Sequence, residues 1–209
     1  VEDAGAILYT IEMAYGDRDF EVTESLNPRH IQLRSRHELW HKENMMNLAT
    51  QRLPSTAKYI AWVDADLTFS RPDWVSETVH LLQHYDVVQM FAYATDLGPN
   101  FEPLKTHKSF VSQWHAHESG IDRGQEYHAW HPGYAWAIRR ESLDALGGFF
   151  DEAILGSGDR HMACAFIGEV EASFYPNMMN RCPELASRLL AWQDRANRKI
   201  NKNIGFMEG

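Results

Sequence analysis

The sequence predicts an α/β fold with a mixed central sheet flanked by helices. Short apolar runs rich in β-branched and aromatic residues, such as Lys58-Tyr-Ile-Ala-Trp-Val63 and Asp86-Val-Val-Gln-Met-Phe-Ala92, read as buried strands. Between them Val75, Val79, Leu82 and Tyr85 recur at helical spacing. Strands that alternate with helices build a sheet covered on both faces.

Taken in order, Ile7 to Ile11 reads as a buried strand, and Tyr15-Gly-Asp-Arg-Asp19 as the turn that ends it. His30 to Arg34 alternates and reads as a short strand. Glu38 to Leu53 reads as a helix with Leu39, Met45, Met46, Ala49 and Leu53 near one face, stopped by Pro54-Ser55. Lys58 to Val63 reads as a central strand. Ser70-Arg-Pro-Asp73 resembles a helix start, with Ser70 as N-cap and Asp73 in the capping-box position. Residues 95–130 are polar, rich in His, Gly and Pro, and lack periodicity, which predicts a long functional loop. His131 to Ile138 is a turn leading into a strand. Glu141 to Leu146 is a helix stopped by Gly147-Gly148. Asp159 to Ile167 and Glu184 to Ile200 are further helices, the last with Leu185, Leu189, Trp192 and Ile200 on a core-facing side.

Composition narrows the function classes. The 209 residues suit one sizeable domain, and 44% hydrophobic residues can build a real core. The formal net charge of -9 argues against a nucleic-acid partner held by bulk charge, since phosphate neutralisation needs excess Lys and Arg. A single nucleotide needs only a metal and one or two basic groups. Cys164 and Cys182 offer neither a disulfide framework nor zinc spacing, which points to a reducing, cytoplasmic compartment. No apolar run reaches the ~18–20 residues that span a membrane.

The chemistry centres on Trp62-Val-Asp64-Ala-Asp66-Leu67. Two carboxylates lie two apart at the carboxyl end of an apolar strand, the edge of an α/β sheet at which ligands bind. Such a pair suits a hard divalent cation, Mn2+ or Mg2+, that neutralises a departing diphosphate. With thirteen aspartates in the chain, roughly one Asp-x-Asp is expected by chance, so the strand context carries the inference. The second match, Asp17-Arg-Asp19, lies in a glycine turn and reads as a solvated loop.

The run Trp40-His-Lys-Glu-Asn-Met-Met-Asn47 followed by Tyr59-Ile-Ala-Trp-Val-Asp-Ala-Asp66 resembles the helix-then-DxD region of GT-A glycosyltransferases, both the family 2 enzymes and the galactosyltransferases. His131-Pro-Gly-Tyr-Ala-Trp-Ala-Ile-Arg-Arg-Glu141, Leu146-Gly-Gly-Phe149 and Gly156-Ser-Gly-Asp-Arg-His161 follow in the order of their acceptor-side half. The resemblance covers roughly residues 6 to 168. It implies a GT-A fold whose residues 1–92 bind the nucleotide-sugar donor and whose residues 93–209 face a carbohydrate or other hydroxyl acceptor. It implies that Lys42 and Asn47 lie near the nucleotide, that Glu12 contacts the nucleoside, and that Gly133, Tyr134 and Trp136 shape the sugar pocket. Asp64 and Asp66 would hold the metal, with His161 or His131 as an in-chain third ligand. Asp159 matches the general base, and Trp130 with the loop from 95 to 130 would touch the acceptor. Many relatives carry adjacent acids where this chain has Ser157-Gly158 before a lone Asp159, so inverting and retaining chemistry both stay open. The family's first strand has no counterpart after Val1, so a fragment lacking it is expected.

Two other classes fit parts of the pattern. Val63-Asp-Ala-Asp-Leu-Thr68 matches the strand-end signature of haloacid-dehalogenase-type phosphatases, although that fold places it near its start and needs a later Lys and a second acidic cluster. A non-catalytic carbohydrate- or nucleotide-binding module is the third class.

Overall fold

The computed structural model describes residues 1–116 and 130–208 and has mixed α/β architecture. Strands β1 (Thr10–Tyr15) and β2 (His30–Ser35) form a parallel pair. Helix α1 (Lys42–Thr50) leads into β3 (Tyr59–Val63), and α2 (Trp74–Leu81) into β4 (Val87–Gln89). Next come β5 (Tyr93–Leu97), β6 (Pro103–Ser109) and α3 (Phe110–Ala116). After β7 (Trp130–His131) come β8 (Ala135–Arg139), α4 (Arg140–Leu146), α5 (Gly158–Phe166), α6 (Met178–Arg181), α7 (Pro183–Lys199) and β9 (Ile204–Phe206).

The main sheet has the order β3-β8-β4-β9. Strand β8 runs antiparallel to both β3 and β4, and β9 runs parallel to β4. Alternation along β8 builds two cores. Trp136 and Ile138 face one cluster, with Ile60, Val87, Leu143, Phe166, Leu189 and Trp192. Ala135 and Ala137 face the other, with Val88, Trp74, Leu82, Met90 and Met207. Helices α4, α5 and α7 therefore cover one face and α2 the other, as period-2 side-chain alternation requires. Both clusters join residues from either side of position 92. Trp62 lies opposite Trp136 in the register and stacks on it, ring centroids 6.3 Å apart and 6° from parallel.

Local signals set two of the helix ends. Gly147, at φ 78°, closes α4 in the left-handed region that glycine enters without a Cβ clash. Pro183 opens α7, where its missing N–H is no loss. The buried side of α7 comprises Ala186, Leu189, Trp192 and Ala196, with Ile200 just beyond it.

Several expectations are corrected. The first strand begins at Thr10, and Ile7 and Leu8 are exposed rather than buried. Helix α1 starts at Lys42, leaving Leu39 outside it. Strand β3 is the end strand of its sheet order, not a central one. Helix α2 is preceded by Asp73, whose carboxylate is taken by Arg71, so neither Ser70 nor Asp73 caps it through its side chain. Residues expected to form a long loop contain the antiparallel pair β5–β6, joined by a short turn and followed by α3. The remainder of that expected loop, 117–129, lies outside the described residues. No helix among the described residues is long and apolar enough to cross a membrane.

Candidate functional site

The carboxyl end of β3 delivers Asp64. Its backbone N–H donates to the Tyr134 carbonyl at 2.9 Å, which extends the β3–β8 pairing by one bond. Its carboxylate pairs with the Lys42 ammonium, supplied by the first residue of α1. Asp66, two residues on, is exposed, and among the described residues it makes no hydrogen bond or ion pair.

The turn entering β8 forms the opposite wall. Gly133 N–H donates to His131 Nδ1 at 3.1 Å, so the neutral ring carries its proton on Nε2. The His131 ring stacks on Tyr134 with centroids 3.8 Å apart. Tyr134 holds φ at 72°, a left-handed conformation that costs a non-glycine residue on the order of 1 kcal/mol. Two contacts maintain it. Its carbonyl accepts from Asp64, and its hydroxyl donates to Asp96 Oδ1 at 2.9 Å. His107 Nε2 lies 2.8 Å from the other Asp96 oxygen. These bonds, His107 first and Tyr134 second, hold the Asp96 carboxyl below its ordinary range. Burial, then the Asp96 contact, push the Tyr134 hydroxyl up. Burial lowers His131, partly opposed by the Asp159 charge. Underneath, the buried Gln89 amide donates to the His131 carbonyl at 2.9 Å and accepts from Val111 N–H at 3.0 Å.

Asp159 enters from the first turn of α5. One oxygen accepts the Arg160 N–H at 2.7 Å, and the other lies against Gly133, where an added Cβ would approach it to 2.7 Å. Glu43 supplies a second carboxyl next to Asp159. It is only 3% exposed, and its Oε1 occupies the place where a Cβ on Gly158 would sit. Burial raises its pKa, opposed by its own backbone N–H and then by the Lys42 charge, and the Asp159 charge adds slightly to the rise.

Other predicted residues do not join this group. Glu12 is spent on its own loop. Its carboxylate accepts from the backbone N–H of Glu21, Val22 and Thr23 and from the Thr23 hydroxyl. The Thr23 hydroxyl is the largest of the influences that lower its pKa to about 2. These bonds make it an organiser of the segment between β1 and β2. Asn47 clasps the turn after α4: its amide donates to Phe149 C=O at 3.0 Å and accepts from Phe149 N–H at 2.8 Å. Trp136 is 2% exposed and donates its indole N–H to Pro132 C=O, so it belongs to the core rather than to a sugar pocket. Trp130 is likewise buried, edge-on to Phe110, and not placed to touch an acceptor. His161 is 2% exposed, with Nδ1 2.7 Å from Ser173 Oγ. The Ser173 proton goes to Val170 C=O, so His161 Nδ1 donates, and burial holds the ring neutral down to a pKa of about 4.

Glu43, Gln89, Asp96 and His107 escaped sequence reasoning. Glu43 had a visible signal, a carboxylate beside Lys42 in the quoted helix start, but its burial depends on Gly158. Gln89 lies in a strand whose partners are distant in sequence, and Asp96 and His107 meet across the β5–β6 hairpin, where the sequence predicts a loop.

Among the described residues no group of three or more His, Cys, Asp or Glu side chains is arranged to hold a metal ion. The expected set of Asp64, Asp66 and His161 is therefore not assembled. The carboxylates of Asp64 and Asp66 are hard oxygen donors. Magnesium-type ions are commonly held by one or two such groups and otherwise by water and substrate phosphates. The pair fits an ion that arrives with a diphosphate, not one caged by protein. No protein-family model, curated protein or solved structure matches the chain.

Proposed function

We propose that this chain is a metal-dependent glycosyltransferase that moves a sugar from a nucleoside-diphosphate donor, UDP-linked by preference, to an acceptor hydroxyl. One observation carries the proposal: acids far apart in sequence, Asp64 with its neighbour Asp66 and Asp159, converge on the turn from His131 to Tyr134. Asp64 bonds that turn through its backbone, and Asp159 lies on its glycine. The resemblance to GT-A enzymes assigns the same acids to metal binding and to proton removal.

Asp64 and Asp66 would hold Mn2+ or Mg2+, which when bound neutralises the charge that develops on the departing diphosphate. Lys42, already paired with Asp64, would share its ammonium with a phosphate oxygen of the donor. Asp159 takes the proton of the acceptor hydroxyl as that oxygen forms its bond to the anomeric carbon. The bond from the anomeric carbon to the phosphate oxygen breaks, and nucleoside diphosphate leaves.

The test is thermal denaturation with UDP and UDP-sugars, with and without Mn2+. A ligand near 100 times its Kd stabilises by about 2.7 kcal/mol, a shift of several degrees. Stabilisation by UDP should require Mn2+ and should vanish in Asp66→Ala. An equal response in that variant removes the metal assignment. Turnover of a chromogenic phosphate ester in place of UDP-sugars would transfer the site to the phosphatase class.

A further inference from the structure

Between the segment before α1 and the loop before α5 lies an open groove of about 510 Å3, within the size range of small-molecule sites. One wall is Leu39 and Trp40, just before α1. The other is Ile154 and Leu155, in the loop before α5. The Trp40 N–H donates to the Ile154 carbonyl at 3.0 Å, which fixes the two walls against each other. Tyr15, Arg18 and Glu38 complete the lining.

The lining has an unusual surface. Leu155 is 93% exposed, Trp40 50%, Ile154 47% and Leu39 39%. Single exposed apolar side chains need no explanation, but four together mark a surface that something covers. At half exposure the Trp40 ring gives the groove its aromatic surface. Charged groups of both signs, Arg18 and Glu38, line the same groove. Among the described residues the Arg18 side chain is held only by a solvent-exposed pair with Glu21 at 3.2 Å, and such pairs are weak.

We propose that this groove is a saccharide-binding subsite that takes one pyranose ring of the acceptor, its C–H face on Trp40 and its hydroxyls toward Arg18 and Glu38. A pyranose pairs an apolar face with a polar rim, which matches a carbon platform flanked by two charged hydrogen-bonding groups. Opposite charges on the rim disfavour an anionic ligand such as a phosphate. The groove and the chemistry share two segments: the Leu155 wall precedes Asp159 by four residues, and Glu43, three residues after Trp40, packs on Gly158. The role as acceptor site rests on the glycosyltransferase reading, whereas the binding chemistry does not.

The test is saturation-transfer NMR on the whole chain with methyl glycosides of glucose, galactose, mannose and N-acetylglucosamine, in EDTA. At least one glycoside should receive saturation on its ring C–H protons. The signal should fall at least roughly tenfold in Trp40→Ala, which removes the aromatic platform. Leu155→Asn should weaken it severalfold, and at 93% exposure that substitution leaves the fold intact. Saturation of no glycoside, signals unchanged in both variants, or displacement by metal-free UDP each overturn the proposal. The response of the unmodified chain to UDP and Mn2+ is read separately. Glycoside binding without that response keeps the subsite and discards the transferase reading.

Discussion

The Asp159 carboxylate lies directly against the α-carbon of Gly133. A methyl group at that position would stand 2.7 Å from Asp159 Oδ2 and 3.0 Å from His131 Cε1. Both neighbours would have to move, and one of them is the proposed base. Gly133→Ala should therefore reduce UDP release from a matched donor and acceptor by roughly tenfold to a hundredfold, because small misplacements of a reacting group weigh heavily. Circular dichroism confirms the fold. Wild-type turnover in this variant would detach Asp159 from the chemistry.

Gln89 is the strut below the same turn. Its side chain bonds the His131 carbonyl and the Val111 N–H inside the protein. Gln89→Leu leaves both backbone groups without this partner, and each buried unsatisfied group costs about 1–3 kcal/mol. Urea denaturation should show a loss of about 2–5 kcal/mol. A loss within 0.5 kcal/mol, the range of ordinary surface substitutions, would mean that the turn is held elsewhere.

His161 makes stability depend on acid. The folded ring stays neutral down to a pKa of about 4, whereas the unfolded chain protonates it around 6.5. Its contribution is therefore complete above pH 6.5 and is lost as the pH falls toward 4. The full difference is on the order of 3 kcal/mol. His161→Gln keeps a donor for Ser173 and removes the titration. The difference in melting temperature between variant and parent should shift in favour of the variant across that window. Parallel curves would exclude a buried neutral His161.

Glu43 has the opposite sign. Its folded pKa lies above 4.5, mainly through burial, so the folded chain holds a proton that the unfolded chain has released. That stability is present below pH 4.5 and is lost as the pH rises through the folded value. Glu43→Gln keeps the shape and carries no charge at any pH. Its melting temperature should gain on the parent as the pH is raised from 4.5 to neutrality. A constant difference would show that Glu43 ionises as freely as in the unfolded chain.

Local patterns made the skeleton legible. The apolar run ending on Asp64 and Asp66, the glycines after α4 and the proline opening α7 each act within a few residues. Hydrogen-bond needs and backbone sterics are settled at that range, and the α/β class, the acid pair and the position of Asp159 at a helix start followed from them. The hairpin β5–β6 was missed because its exposed, polar strands carry no alternation for a period to register.

Side-chain destinations were decided only by the tertiary structure. Asn47 reaches Phe149, Glu12 folds the loop beside it around its own charge, and Trp136 turns into the core where a sugar-pocket role was expected. Glu43 is buried by Gly158, and Asp159 is seated on Gly133. A residue type states which bonds a side chain can make. Which of them it makes depends on partners brought near by packing from tens of residues away, and that proximity is a property of the folded chain alone.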